Sequence, residues 1–178
     1  MAQRTMLIKA VANTLDRLGY AVVLGLLSGI ECERLTRSLG VVQGPGRRGL
    51  LQLPDVATIA NSKTIKRLIQ PFVEPLPRPV RGVYFNKSPE ANWAVSWHRD
   101  VTIAVRERAD VPDFRAWSIK KGVLHVQPPT ELLEQMLTLR IHLDDCDETN
   151  GAREVDAATA VAFIASIAEP AASACVAY

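Results

Sequence analysis

A histidine and an aspartate stand two residues apart in the segment Trp97-His98-Arg99-Asp100. Residues two apart in a β-strand project from the same face, so His98 and Asp100 are expected side by side, with Arg99 on the opposite face. A neutral imidazole beside a carboxylate supplies two of the three ligands of a 2-His-1-carboxylate iron site, whose open positions bind a 2-oxo acid and oxygen. The alternative is a strand histidine that hydrogen-bonds to its neighbouring carboxylate.

The elements that would position this pair are mainly helical in the first part of the chain. Apolar residues at helical spacing predict an opening helix that ends near Gly19, and the run Tyr20 to Leu24 predicts a strand. Ser28 and Glu31 have the spacing of a capping box, which predicts a second helix. A third helix is predicted from Val56 to Ile69, and the prolines that follow predict an extended connector.

The rest of the chain changes in character. Runs of β-branched and aromatic residues separated by turn residues predict four strands, at Val80 to Asn86, Ala94 to Val105, Val123 to Val126 and Met136 to Leu143. Helices first and strands afterwards predict an α+β fold with a β core covered by helices. The turn Asp147 to Gly151 predicts a hairpin.

Two glycine- or alanine-rich stretches need separate interpretation. The stretch Gly44 to Gly49 lacks the GK[ST] ending of a phosphate-binding loop, so it is interpreted as a turn. From Ala152 onward alanine dominates, and the pattern predicts a small-residue helix from Asp156 to Ile167, broken by Pro170, rather than a core strand.

Length, charge and cysteine content limit the kinds of protein that this chain can be. A chain of 178 residues with a net charge of +2 fits one domain and gives no sign of nucleic-acid binding. The three cysteines form no CxxC pair, and the amino-terminal segment has no signal-peptide core. The apolar stretches are too short to cross a bilayer. We therefore expect a soluble, cytoplasmic protein with reduced thiols, without nucleic-acid or membrane partners.

Several ordered motifs together resemble a bacterial branch of the phytanoyl-CoA dioxygenase family. The resemblance covers about residues 10 to 152. Its motifs are RGVYFNKSPEANW (Arg81 to Trp93), WHRD (Trp97 to Asp100), WSIKKGVLHVQPP (Trp117 to Pro129) and LRIHLDDCDETNG (Leu139 to Gly151).

This resemblance implies a fold and an activity. Family members fold as a double-stranded β-helix, a jelly-roll related to cupins with helices packed on one sheet. They use Fe(2+) and 2-oxoglutarate as cosubstrate to hydroxylate a small organic substrate. The resemblance makes His98 and Asp100 the first two metal ligands, and Arg140 and Lys87 candidate cosubstrate-binding residues. It leaves the substrate and the oligomeric state open.

Other interpretations of these residues stay open at this point. Alternation places His142 on the same face as Arg140, which is either an inward carboxylate partner or a surface or supporting arginine. Lys87 either reaches the cosubstrate or substrate or is solvated. Trp93 and Trp97 are expected to pack beside the site. The remaining histidine, His125, is expected to be structural.

The chain departs from the family after the Asn150-Gly151 turn. Family members continue into a Pro-Gly-Ser-His turn and later supply a distal histidine and arginine, but no histidine follows His142 and only Arg153 follows Arg140. The predicted organisation is therefore a family-like domain over 1–152, incomplete at its C-terminal end, and an atypical alanine-rich tail over 153–178. The missing strands predict unpaired strand edges and an exposed apolar face.

Two further functions therefore compete with an active dioxygenase. One is a catalytically inactive, truncated remnant or a domain that needs a partner chain. The other is a cupin-like metal-binding module that uses His98, Asp100 and His142.

The abrupt change at about Ala152 is the change expected from an out-of-frame reading of GC-rich codons. We predict that another reading frame of the coding DNA just beyond codon 152 encodes a Pro-Gly-Ser-His-like segment and a later histidine and arginine. Translation of the other frames checks this, and their lack of such a segment would rule out a frameshift.

Overall fold

The computed structural model describes residues 2–73, 76–87, 93, 101–120, 122–143, 163–167 and 172–177. The predicted Asn150-Gly151 turn and most of the predicted strand 94–105 lie outside these residues. The helices in this part of the chain are α1 (Ala2–Leu18), α2 (Gly29–Leu39), α3 (Pro54–Ala60), α4 (Lys63–Ile69) and α5 (Thr130–Glu134). None of them is both long and apolar enough to cross a membrane.

Nine strands are described. They are β1 (Tyr20–Leu24), β2 (Gly46–Arg48), β3 (Arg81–Phe85), β4 (Ile103–Ala104), β5 (Arg115–Lys120), β6 (Val123–Gln127), β7 (Thr138–Leu143), β8 (Phe163–Ile167) and β9 (Ala172–Ala177). Six of them form one sheet in the order β1-β8-β7-β9-β3-β2, and three form a second in the order β4-β6-β5. The α+β class is confirmed, and the described strands form no closed barrel.

Helix α2 begins at the capping box that the sequence predicted. The backbone N–H of Ser28 donates to the Glu31 carboxylate at 2.8 Å, and the Glu31 N–H donates to the Ser28 hydroxyl at 3.4 Å. The Ser28 N–H, and then the Ser28 hydroxyl, which also donates to this carboxylate at 2.7 Å, lower the pKa of Glu31 because they stabilise its charged form. Leu35 and Leu39 of this helix are buried, which fixes the helix against the sheet.

The predicted helix from Val56 to Ile69 is two helices. Helix α3 ends at Ala60, and the Ser62 hydroxyl accepts a hydrogen bond from the Ile65 N–H at 3.3 Å to begin α4. The prediction missed this break because the apolar spacing runs through it. A serine is favoured at a helix N-cap, where its side chain replaces a missing backbone partner.

The glycine-rich stretch is also more ordered than predicted. Its residues Gly46–Arg48 form the edge strand β2, which pairs antiparallel with β3. Gly46 has a φ of 151°, and a Cβ atom there would stand 2.1 Å from the Tyr84 carbonyl oxygen. Only glycine permits so close a backbone approach, so this stretch has a structural role in the sheet.

The hydrophobic core lies between the helices and one face of the six-stranded sheet. Leu139, Ile141 and Leu143 of β7 are buried on that face. Ile141 and Leu143 meet apolar side chains of α2 and α3 across a gap of about 10 Å³. A space of that size holds no more than a water molecule, so this gap between the described residues has no room for an organic ligand.

The alanine-rich tail supplies two strands of the large sheet, so the predicted helix from Asp156 to Ile167 is wrong over Phe163–Ile167. Strand β8 pairs in parallel with β1 and β7, and β9 pairs antiparallel with β7 and β3. Strand β7 is therefore paired along both edges, and the outer edges of the described sheet belong to β1 and β2. A strand that lies between two others has its backbone N–H and C=O groups paired on both sides, and this pairing overrides the helical preference of alanine.

The other strands follow the sequence closely. Strands β3, β6 and β7 match predicted runs within two residues at each end. Of the predicted strand 94–105, residues 101–105 are described, and only Ile103–Ala104 is strand there. Strand β5 was not predicted. It pairs with β6 through an irregularity between Arg115 and Ser118, and Ala116 there has a φ of 52°.

The position of β8 leads to a test of the tail. We predict that Ala165→Pro lowers the free energy of unfolding by about 3 kcal/mol or abolishes cooperative unfolding, because proline removes a backbone donor from a strand paired on both sides. Ala165→Ser keeps the N–H and is the control. Urea unfolding followed by circular dichroism measures both, and equal stability of the two variants would show that β8 does not support the sheet.

Candidate functional site

The side of the large sheet opposite the core carries the polar residues that the sequence singled out. Residues that pair directly on neighbouring strands share a face of the sheet. Arg140 and Val83 both pair with Cys175 of β9. His142 and Phe85 both pair with Ser173 of the same strand. We call this side the Arg140 face. Its described members on β1, β3 and β7 are Tyr20, Val22, Leu24, Arg81, Val83, Phe85, Thr138, Arg140 and His142.

Arg140 is buried at the centre of the Arg140 face. Its exposed fraction is 8%, although it carries a permanent charge. The interpretation of Arg140 as a surface arginine is therefore wrong. Arginine is rarely buried without paired or hydrogen-bonding groups. Its binding of a cosubstrate carboxylate stays a prediction.

His142 lies beside Arg140, and its exposed fraction is 7%. Among the described residues its Nδ1 atom has no hydrogen-bond partner. Burial, and then the positive charge of Arg140, lower the pKa of His142 to about 4. The imidazole is therefore neutral at pH 7. Alternation with Arg140 was the sequence signal for this position, but the family resemblance gave His142 no role.

Lys87 is held in place, so its interpretation as a freely solvated lysine is wrong. Its Nζ atom donates a hydrogen bond to the Trp93 carbonyl oxygen at 2.8 Å. The same atom lies 4.8 Å from the centre of the Trp93 ring, within the range of a cation–π contact. Both side chains are half-buried. Trp93 thus contacts Lys87, and its packing beside His98 and Asp100 stays a prediction because those two residues lie outside the described ranges.

The topology brings Lys87 to the same end of the sheet as His142. Strands β3 and β7 both pair antiparallel with β9, so they run in the same direction. Phe85 ends β3 level with His142, and Lys87 follows two residues later. Two strand spacings separate the backbones of β3 and β7, or about 10 Å. The two predicted cosubstrate residues therefore belong to one region of the molecule.

The predicted metal ligands His98 and Asp100 lie outside the described residues, as does Trp97. Across the described ranges, no three His, Cys, Asp or Glu side chains form a group that could hold a metal ion. An imidazole and a carboxylate are a donor set that suits iron(II), so their assignment rests on residue type and spacing.

His125 has the structural character that the sequence predicted. It is buried on β6, and its Nδ1 atom lies 2.9 Å from the Val123 carbonyl oxygen. That distance requires the tautomer in which Nδ1 carries the proton and donates it.

A second cation–π contact, which sequence reasoning missed, places Arg108 5.3 Å from the ring centre of Trp117.

The comparisons with known proteins give no assignment. No family model, curated protein or solved structure matches this chain. Family membership is therefore a proposal that depends on the motifs and on the Arg140 face.

The buried imidazole leads to a pH prediction. His142 has a pKa of about 4 when folded and about 6.5 when unfolded, so the unfolded chain binds more protons between these values. Its contribution to stability is complete above pH 6.5 and is lost as the pH falls toward 4. By pH 5 the loss is about 2 kcal/mol.

Urea unfolding at pH 7 and pH 5 measures this loss, with His142→Asn as the control because it cannot titrate. Between pH 7 and pH 5, the unfolding free energy of the wild type is expected to fall by about 2 kcal/mol more than that of His142→Asn. An equal fall in both proteins would show that His142 is not buried in its neutral form.

Proposed function

We propose that this chain is an iron(II)- and 2-oxoglutarate-dependent dioxygenase of the phytanoyl-CoA dioxygenase family that hydroxylates a small organic substrate. The four ordered motifs of the sequence support this proposal. We further propose that the large sheet forms one wall of a double-stranded β-helix, with the Arg140 face turned inward. The burial of Arg140 and His142 on a sheet whose other face is covered by helices supports this assignment.

The observation that carries the proposal is the placement of two cationic side chains in one region of the large sheet. Arg140 is buried on β7 at the centre of the Arg140 face, and Lys87 follows the end of β3, with its ammonium group held by Trp93. 2-Oxoglutarate is a dianion with a carboxylate at each end. Arginine binds a carboxylate with two parallel hydrogen bonds, and lysine adds a second positive charge.

The protein's own residues would then position and shield the cosubstrate. His98 and Asp100 would hold the iron, which when bound supplies the oxidative decarboxylation and C–H hydroxylation chemistry. Arg140 would fix one carboxylate and Lys87 would attract the other. The Trp93 ring limits where the Lys87 ammonium can move, because leaving the ring costs the cation–π contact.

A second candidate function is an inactive or partner-dependent domain. The chain has no histidine after His142, so the family's distal iron ligand is absent from the sequence. In addition, Val22, Leu24 and Phe85 of the Arg140 face have exposed fractions of 47%, 75% and 40%. Exposed apolar residues on one face favour a surface that another chain covers.

Anaerobic addition of Fe(II) and 2-oxoglutarate to the purified protein tests the proposal. We expect a charge-transfer absorption band from the iron complex of the 2-oxo acid, and succinate release once oxygen is admitted. His98→Ala and Asp100→Ala are each expected to abolish the band, because each removes an iron ligand.

Asp113→Asn is the matched control, since it also removes a carboxylate. Asp113 is exposed and has a φ of 67°, a conformation that asparagine tolerates. Absence of both the band and succinate would overturn the dioxygenase proposal. A dimeric or larger mass by light scattering would then favour the partner-dependent domain.

A further inference from the structure

The Nδ1 atom of His142 is a buried polar atom without a hydrogen-bond partner among the described residues. Leaving such an atom unsatisfied costs about 1–3 kcal/mol. His125 shows the contrast, because its Nδ1 meets a carbonyl oxygen at 2.9 Å. A group that hydrogen-bonds to His142 would remove this cost, so the atom marks a place where a ligand gains affinity.

The charge beside His142 selects the kind of ligand. Arg140 lies two residues earlier on the same face and is also buried. The two side chains are electrostatically coupled, since the Arg140 charge contributes to the lowered pKa of His142. A guanidinium favours an anion and disfavours a cation. The neutral imidazole can donate its N–H to that anion without taking up a proton.

We propose that Arg140 and His142 together form a carboxylate-binding site on the Arg140 face. The guanidinium pairs with the carboxylate and His142 Nδ1–H donates a further hydrogen bond to it. The choice of a 2-oxo dicarboxylate as its ligand rests on the proposed function. The site itself requires no iron.

A site made of Arg140 and His142 would anchor the cosubstrate in a sequence that lacks the distal arginine of the family. Arginine and histidine both come from β7, whose backbone is paired on both sides by β8 and β9. A strand paired on both sides holds its side chains at a fixed spacing, which lowers the ordering cost of binding. The hydrogen bond from His142 adds directionality to the charge of Arg140.

Isothermal titration of the metal-free protein in the presence of a chelator tests this site. The probes are 2-oxoglutarate, succinate and inorganic phosphate. The two carboxylates are expected to bind, and phosphate is expected to bind at least tenfold more weakly. Equal affinity for phosphate would replace the carboxylate site with a general anion site, and no binding by the folded protein would overturn the proposal.

Three variants separate the contributions of the two residues. His142→Asn places an amide donor near the position of Nδ1 and is expected to bind carboxylate within about threefold of the wild type. His142→Phe removes the donor and is expected to weaken binding about tenfold, the change for one lost hydrogen bond. Arg140→Lys keeps the charge but loses the two-pronged geometry, and a similar weakening is expected.

Circular dichroism and thermal unfolding show which variants are folded, and only folded variants are compared. Unchanged affinity in folded His142→Phe would overturn the role of His142. This result is independent of the dioxygenase proposal. Carboxylate binding without any Fe(II) binding would overturn the dioxygenase alone, whereas succinate release with unchanged affinity in His142→Phe would overturn the carboxylate site alone.

Discussion

The backbone pairing of β7 with β8 and β9 is the constraint on which the rest of the structure depends. Its odd-numbered residues, Leu139, Ile141 and Leu143, face the helices, while Arg140 and His142 face the other way. A shift of one residue in this register would exchange the two sets and place the charged pair in the apolar core. The core and the candidate site are therefore fixed by the same ladder of hydrogen bonds.

Local chemistry made much of the first 143 residues predictable. The Ser28–Glu31 capping box begins α2 as its spacing indicated, because both partners lie within one turn. Strands β3, β6 and β7 follow β-branched and alternating runs. The split between α3 and α4 was missed because Ser62 interrupts the backbone without interrupting the apolar spacing.

The tail was not predictable in the same way. Its alanines favour a helix locally, but strands β8 and β9 form against partners that are distant in sequence, such as Tyr20 and Arg81. The helix or strand propensity of a segment depends on its own residues and carries no information about strands that are distant in sequence. The candidate site shows the same limit. Alternation put His142 beside Arg140, but the burial of both and the missing partner of His142 Nδ1 depend on the surrounding sheet.

The parallel pairing of β1 with β8 joins residues from near the two ends of the sequence, with Tyr20 opposite Phe163. During synthesis on the ribosome, β1 therefore waits for β8 to emerge, a delay on the order of ten seconds at ordinary translation rates. Throughout that delay Val23 of β1, which is buried in the folded chain, lacks the neighbouring strand β8. The nascent chain is thus expected to depend on chaperones, because contacts this distant in sequence form slowly and leave apolar surface open to aggregation.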